Sequence, residues 1–194
     1  ESGSMFYLTN TSADIYLEDN EIDFDSSNAA LLTAMSNDSN NWGKSGSNGA
    51  DVTLTGCNQE LEGEVKTDTI SSAKLYLING TKWTGSTKTD SNSSSDKSGD
   101  TVSVSIDETS TWEVTKSCRV NALEVSSGAK IVDGDGNDVE ILGQNGVVLR
   151  AGKSNVTVTV SGSYKDDTNV SGAVSWNENV VDADKMSKLD EISK

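Results

Sequence analysis

The sequence predicts an all-β chain wound as a parallel β-helix, and two observations predict it. The first is a strand phrase that recurs at a pitch of roughly 20–30 residues. It reads Asp51-Val-Thr-Leu54 with Leu61-Glu-Gly63, then Lys74-Leu-Tyr-Leu77 with Trp83-Thr-Gly85, then Ser103-Val-Ser-Ile106 with Trp112-Glu-Val114. The second is the register of these phrases. Leu54 to Leu77 is 23 positions and Leu61 to Trp83 is 22, whereas Leu77 to Ile106 and Trp83 to Trp112 are both 29. The excess falls in one polar stretch, residues 91–99. Equal steps on both sides of an insertion are what stacked coils give, because extra residues leave as a loop and the stack continues. A β-sandwich, the competing architecture, also has short strands with frequent turns but no reason to keep two columns in register.

Taken in order, Phe6-Tyr-Leu8, Asp14-Ile-Tyr-Leu17 and Ile22-Asp-Phe24 alternate with period two and read as short strands. Leu31-Leu32 opens the next strand, and a polar loop runs over 36–49. The three phrases fill 51–114. Val120, Leu123-Glu-Val125, Ile131-Val132, Val139-Glu-Ile141 and Val147-Val-Leu149 follow, and Val156-Thr-Val-Thr-Val160 is the cleanest strand. Gly56, Gly63, Gly80, Gly85, Gly128, Gly143, Gly146 and Gly162 mark the corners. A pitch near 22 residues allows three short strands and three turns per coil. The β-helix domain is expected over 1–178. The tail 179–194 holds the only helical pattern, from Asp182 to Lys194 with Met186, Leu189 and Ile192 on one stripe, as a cap over the last coil or a docking element.

Composition limits the function. Net charge is −16, from 31 acidic and 15 basic residues, which disfavours nucleic acid and anionic lipid. Hydrophobic content is 33%, enough for a narrow core filled by one inward row per strand. No apolar run is long enough to span a bilayer as a helix, so membrane insertion is not expected. The chain begins at Glu1 without initiator Met or signal peptide, as a processed product or excised fragment would. An extracellular or cell-surface location is the expectation from the Asp/Asn/Ser/Thr-rich surface. Cys57 and Cys118 belong to coils two layers apart and to different columns, so no bond between them is expected. Both are read as small inward hydrophobes.

Several phrases resemble bacterial surface proteins with right-handed parallel β-helices. Trp42-Gly-Lys-Ser-Gly-Ser-Asn-Gly-Ala-Asp-Val-Thr-Leu54, continuing to Asn58-Gln-Glu-Leu-Glu-Gly63, resembles clostridial and gut-Firmicutes proteins described as carbohydrate-binding or adhesin-like. Ser110-Thr-Trp-Glu-Val-Thr115 with Val120-Asn-Ala-Leu123 is similar to the strand phrase of autotransporter passengers. Lys130-Ile-Val-Asp-Gly-Asp-Gly136 with Asn155-Val-Thr-Val-Thr-Val-Ser-Gly-Ser-Tyr164 resembles the closing coil of the clostridial group. The resemblance spans roughly 5–165. It implies a right-handed coil, an extracellular location and polysaccharide binding, with calcium as a possible cofactor.

The chain has no His, which removes Ser-His-Asp and Cys-His triads and His-based zinc ligation. Asp133-Gly-Asp-Gly-Asn-Asp138, with Glu140 beyond, is the calcium candidate, with Asp133, Asp135, Asn137, Asp138 and Glu140 as oxygen donors. It is not an EF-hand, since the sixth position is Asp138 and the twelfth Gln144. The competing reading is a Gly/Asp hairpin turn. Trp42 and Trp176 are the candidate sugar-stacking residues, whereas Trp83 and Trp112 share the column of Leu61 and are expected in the core. The expected function is non-enzymatic binding of extracellular polysaccharide or cell-surface components, as in an adhesin. The first alternative is the subunit of a homo-oligomeric fibre or filament, assembled through the coil ends. The second is a polysaccharide lyase resting on calcium and Arg119 or Arg150.

Overall fold

The computed structural model describes residues 3–37 and 46–170. No helix occurs among the described residues. The lower strands are β1 (Ser4–Leu8), β2 (Thr11–Glu18), β3 (Ala30–Ala34), β4 (Ala50–Cys57), β5 (Glu60–Glu62) and β6 (Val65–Asp68). The middle ones are β7 (Ser72–Ile78), β8 (Lys82–Gly85), β9 (Thr87–Asp90), β10 (Val102–Ile106) and β11 (Thr111–Val114). The upper ones are β12 (Cys118–Val125), β13 (Lys130–Val132), β14 (Glu140–Gly143), β15 (Val148–Arg150) and β16 (Thr157–Lys165).

The strands form three sheets. Sheet A has the order β1-β3-β6-β9, sheet C the order β5-β8-β11-β13, and the eight-stranded sheet B the order β2-β4-β7-β10-β12-β16-β14-β15. From β4 to β11 the chain visits B, C and A in rotation, and each strand except β5, which opens sheet C, pairs in parallel with its counterpart one rung earlier. Leu61, Trp83, Trp112 and Ile131 pair directly in one column of sheet C. Leu77 pairs with Ile106 in sheet B. Both columns step over residues 91–99, which leave the stack between β9 and β10.

One register differs from expectation. Leu54 pairs with Leu75, and Leu77 lies over Gly56, so the first step in sheet B is 21 positions rather than 23. A slip of two keeps every side chain on its face, so alternation alone does not reveal it. The fourth inward place of β4, after Ala50, Val52 and Leu54, holds no side chain because a Cβ on Gly56 would lie 2.9 Å from Thr81 Cγ2 and 3.1 Å from Leu61 Cδ1. The sequence match therefore settled on the nearest leucine.

One continuous apolar core fills the space between the sheets, with Leu54, Leu75, Leu77, Trp83, Ile106 and Trp112 all but inaccessible. Each such side chain stabilises the fold by about 1.5–3 kcal/mol before conformational entropy. Trp83 and Trp112 stack at 4.8 Å with planes 13° apart. Ile22 and Phe24, expected in a strand, belong to none, yet both pack against the lower end of the core.

The corners repeat as well. Where β2, β4 and β7 leave sheet B, Asp19, Asn58 and Asn79 all have left-handed φ, at 51°, 47° and 54°. These are the non-glycine types that accept that region most readily. The Asn58 amide donates to the Asp19 carboxylate, and the Asn79 backbone N–H donates to Asp107 at 2.7 Å. Where sheet A turns to sheet B, the buried Asp68 carboxylate accepts from Ser36 N (3.0 Å), Asn92 Nδ2 (3.0 Å) and Ile70 N (3.3 Å). It thereby ties residues 36 and 92, which open two chain excursions, to the stack. Burial works to raise its pKa, but hydrogen bonds from Ser71, Asn92 and Ser36 outweigh this and hold it below the usual carboxylate range.

The upper end breaks the rotation. After β13, a hairpin turn leads into β14, which lies one place beyond the next position in sheet B, and β15 folds back antiparallel on it. β16 then enters the gap, parallel to both β12 and β14. Gly162, expected at a corner, instead sits in a bulge of β16, where a Cβ would lie 2.6 Å from the Asn121 carbonyl oxygen. Val147, Val148 and Leu149, read as an ordinary strand, lie on the outermost edge and are exposed. Cys57 and Cys118 are unbonded and buried, as expected. Only Cys118 joins the core, whereas Cys57 sits on the outer side of sheet B, with its sulfur 3.7 Å from Glu18 Oε1. The expected helix over 182–194 lies outside the described residues.

Candidate functional site

The chain turns from sheet C to sheet A with little connecting sequence, Gly63-Glu64 on one rung and Ser86 on the next, and above them 115–117 leads from sheet C into β12 of sheet B. Gly63 makes its turn at φ 105°, a conformation that side chains resist. Gly85 has another reason: a Cβ there would lie 2.2 Å from the Gly63 carbonyl oxygen and 2.5 Å from Trp83 Nε1. The stacked indoles brace this corner from inside. Trp83 Nε1–H donates to the Gly63 carbonyl at 3.0 Å, and Trp112 Nε1–H donates to the Gly85 carbonyl at 3.1 Å. The phrases Leu61-Glu-Gly63 and Trp83-Thr-Gly85, with Trp112 stacked above, thus fix both the core column and the corner outside it.

Outside these tight corners runs a cleft of about 530 Å³, crossing from residues 26–30 over 62–66 and 84–86 to 115–116. Four successive levels of the stack contribute to it. Glu64 is its deepest charged group, with a side chain 16% exposed, against 59% for Lys116 at the rim. The Glu64 carboxylate meets Lys116 Nζ at 2.5 Å and Lys66 Nζ at 3.3 Å. Glu62 accepts from the Ser26 hydroxyl at 3.2 Å. Thr84, Ser86 and Thr115 add hydroxyl or backbone groups to the wall. The lining therefore offers acceptors, donors and groups able to do both, with two acids and two lysines in balance. Arg119 pairs with Asp100 at 3.1 Å, and neither arginine lines the cleft.

The sequence-predicted calcium residues form a tight hairpin instead of an open loop. Asp133 Oδ1 accepts from Asp135 N at 3.0 Å and from Asn137 N at 2.8 Å, and its backbone carbonyl accepts from Gly136 N at 2.9 Å. Val132 and Asp138 close the turn as an antiparallel bridge, and Glu140 begins β14. Hydrogen bonds from Ser154 above all, and from Asn137 and Asp135, hold the Asp133 carboxyl below its usual range. Among the described residues no group of three or more His, Cys, Asp or Glu side chains is set to hold a metal ion. Trp42 and Trp176 lie outside the described residues. Trp83 and Trp112 occupy the core column, as expected.

Sequence reasoning missed the corner cleft. Its signal was present in the alternation Glu60, Glu62, Glu64, Lys66 and Lys82, Thr84, Ser86, Lys88, which marks the outward row on either side of Gly63 and Gly85. No protein family model, no curated protein and no solved structure matches the chain.

Proposed function

We propose that the chain is a right-handed parallel β-helix, secreted or displayed at a cell surface, that binds polysaccharide without turning it over. The observation that carries this reading is the corner cleft. It is open, polar and mixed in charge, and it runs up the stack instead of closing into a pocket, so a linear chain fits along it. Sugar hydroxyls both donate and accept, which suits a wall of carboxylates, ammoniums and hydroxyls. Net charge of −16 favours neutral glycans over polyanionic ones. Both lysines of the cleft are engaged with Glu64, which supports binding over proton abstraction. Affinity per site is weak and rises with repetition on a surface.

A panel of soluble neutral polysaccharides in affinity gel electrophoresis tests this. The protein is expected to be retarded by at least one, and Glu64→Ala with Lys116→Ala to remove the retardation while leaving the melting temperature within a few degrees. Absence of any retardation overturns the reading. A chelator arm reads whether calcium at the Asp133–Asp138 hairpin contributes.

One observation favours a second reading, the fibre subunit. All large hydrophobic residues that are exposed among the described residues (Met5, Tyr7, Val147, Val148 and Leu149) lie on or beside β1 and β15, the outermost strands of two sheets. Open edges with apolar side chains invite strand addition by another copy. Size-exclusion chromatography with light scattering separates the readings: filaments without glycan retention favour the second.

A further inference from the structure

The β14–β15 hairpin holds a reactive dipeptide. Asparagine followed by glycine occurs three times in the chain, at Asn48-Gly49, Asn79-Gly80 and Asn145-Gly146. In such a pair the glycine nitrogen can reach the side-chain carbonyl carbon of the asparagine, because the second residue has no side chain to stand in the way. Whether it reacts depends on how each pair is held.

Two of the three are held from several sides. Asn48 is 3% exposed, its side-chain amide donates to the Asn37 carbonyl, and a Cβ on Gly49 would lie 2.5 Å from the Ile70 carbonyl oxygen. Asn79 occupies the corner between β7 and β8. Its backbone N–H donates to Asp107 on the rung above, and its side-chain amide donates to Cys57 Sγ on the rung below at 3.0 Å. The Gly80 N–H donates to Thr109 Oγ1 at 2.8 Å. Bringing either glycine nitrogen onto the neighbouring side chain means loosening packed rungs.

Asn145 is held differently. Residues 144–149 are exposed, and the Asn145 side chain makes no hydrogen bond to any described residue. Gly146 has φ 74°, with nothing within 4 Å of where a Cβ would stand. It fills the left-handed place of a three-residue hairpin loop. The Gly146 N–H donates to the Gly143 carbonyl at 2.9 Å, and the Gly143 N–H donates to the Val147 carbonyl at 2.8 Å. The glycine nitrogen must leave its bond before it can attack. That opening disturbs only β15, which has β14 on one side and, among the described residues, no strand on the other. Val147, Val148 and Leu149 are already exposed, so it uncovers little apolar surface and belongs at the low end of opening free energies.

We propose that Asn145 is a site of spontaneous deamidation in the folded protein, and that the fold protects Asn48 and Asn79. The Gly146 nitrogen, its proton taken by hydroxide, attacks Asn145 Cγ. The new C–N bond closes a succinimide ring as the side-chain nitrogen takes up a proton and leaves as ammonia. Water then opens the ring at one carbonyl or the other, giving aspartate or isoaspartate. Water is consumed, ammonia is released, and each event adds a negative charge beside the open edge of β15. A charged edge resists strand addition, so the product opposes the association that this edge would support in the fibre reading. The inference is independent of glycan binding.

The test is peptide mapping by mass spectrometry after the full chain is incubated in warm, mildly alkaline buffer, with the guanidinium-unfolded chain as reference. In the folded protein Asn145 should convert at least about tenfold faster than Asn48 or Asn79, equivalent to about 1.4 kcal/mol between their barriers. In the unfolded chain the three should convert at similar rates, which assigns the order to the fold and not to the flanking sequence. The folded rate at Asn145 should rise with pH in proportion to hydroxide. Asn145→Gln should remove the more acidic species from native isoelectric focusing, with circular dichroism melts confirming that the variant is folded. Retention of the amide at Asn145 under conditions in which the unfolded chain converts overturns the proposal. So does conversion of Asn48 or Asn79 in the folded protein at a rate matching that of Asn145.

Discussion

The middle of the molecule and its upper end are built from the same kinds of strand yet obey different rules. From β4 to β11, order in the chain and order in space agree, and every strand but β5, the first of sheet C, rests on the one a rung earlier. Above β12, the last described strand, β16, enters between two strands laid down before it, and a short antiparallel strand closes the edge. The middle holds stacked indoles with no solvent access, whereas the upper edge leaves Val147 62% exposed. Periodicity fixes a structure only where each repeat has a preceding repeat to rest on. At an end the chain must improvise a closure, and side-chain alternation does not say in which order strands will pair.

The sharpest way to break this contrast is to empty the middle. Trp112→Ala removes the indole that stacks on Trp83 and caps the Gly85 carbonyl, and should cost about 3–5 kcal/mol in urea denaturation. A loss below about 1 kcal/mol would show that the column is not what holds the rungs. Gly85→Ala, which forces a methyl against the Gly63 carbonyl, should cost about 1–3 kcal/mol by the same measurement.

Asp68 gives the contrast a pH dependence. Its folded pKa lies below the unfolded value of about 3.9, so it stabilises the protein above that value and the contribution fades as pH falls through the folded pKa. Melting temperature should therefore drop below about pH 4. Asp68→Asn should lower stability at pH 7 by about 1–3 kcal/mol and flatten the acid limb. A variant whose acid limb stays as steep as before would assign the effect elsewhere. The smallest change is expected at the edge: Val148→Ala should move stability by no more than about 0.5 kcal/mol. Hydrogen exchange offers a finer comparison, with β15 amides expected to exchange well before those of β7 and β10.

Much of the middle was legible in the sequence. The column of Leu61, Trp83 and Trp112 could be read because a large residue recurs beside a Gly or a short polar step, and the excursion at 91–99 because both flanking columns shift by the same amount. The pairing of Leu54 was misread because Gly56, the true partner of Leu77, carries no side chain to match. The position of β16 was not legible, since a strand inserted late has the same alternation as one added in sequence. Of the candidate sites, the calcium phrase spelled a turn as well as a cation loop, and the backbone took the Asp133 carboxylate for the turn. The walls of the corner cleft depend on neighbours some 20 or more positions away, which a local motif search does not join. They become visible only once register is known.

The excursion at 91–99 carries a practical consequence. Rungs below and above it keep their alignment although it lengthens one turn of the chain, and its near end is anchored by Asn92 to Asp68. Such a point is a natural port for grafted peptide: an epitope or affinity tag spliced between Ser93 and Lys97 would project from one flank without asking the scaffold to readjust.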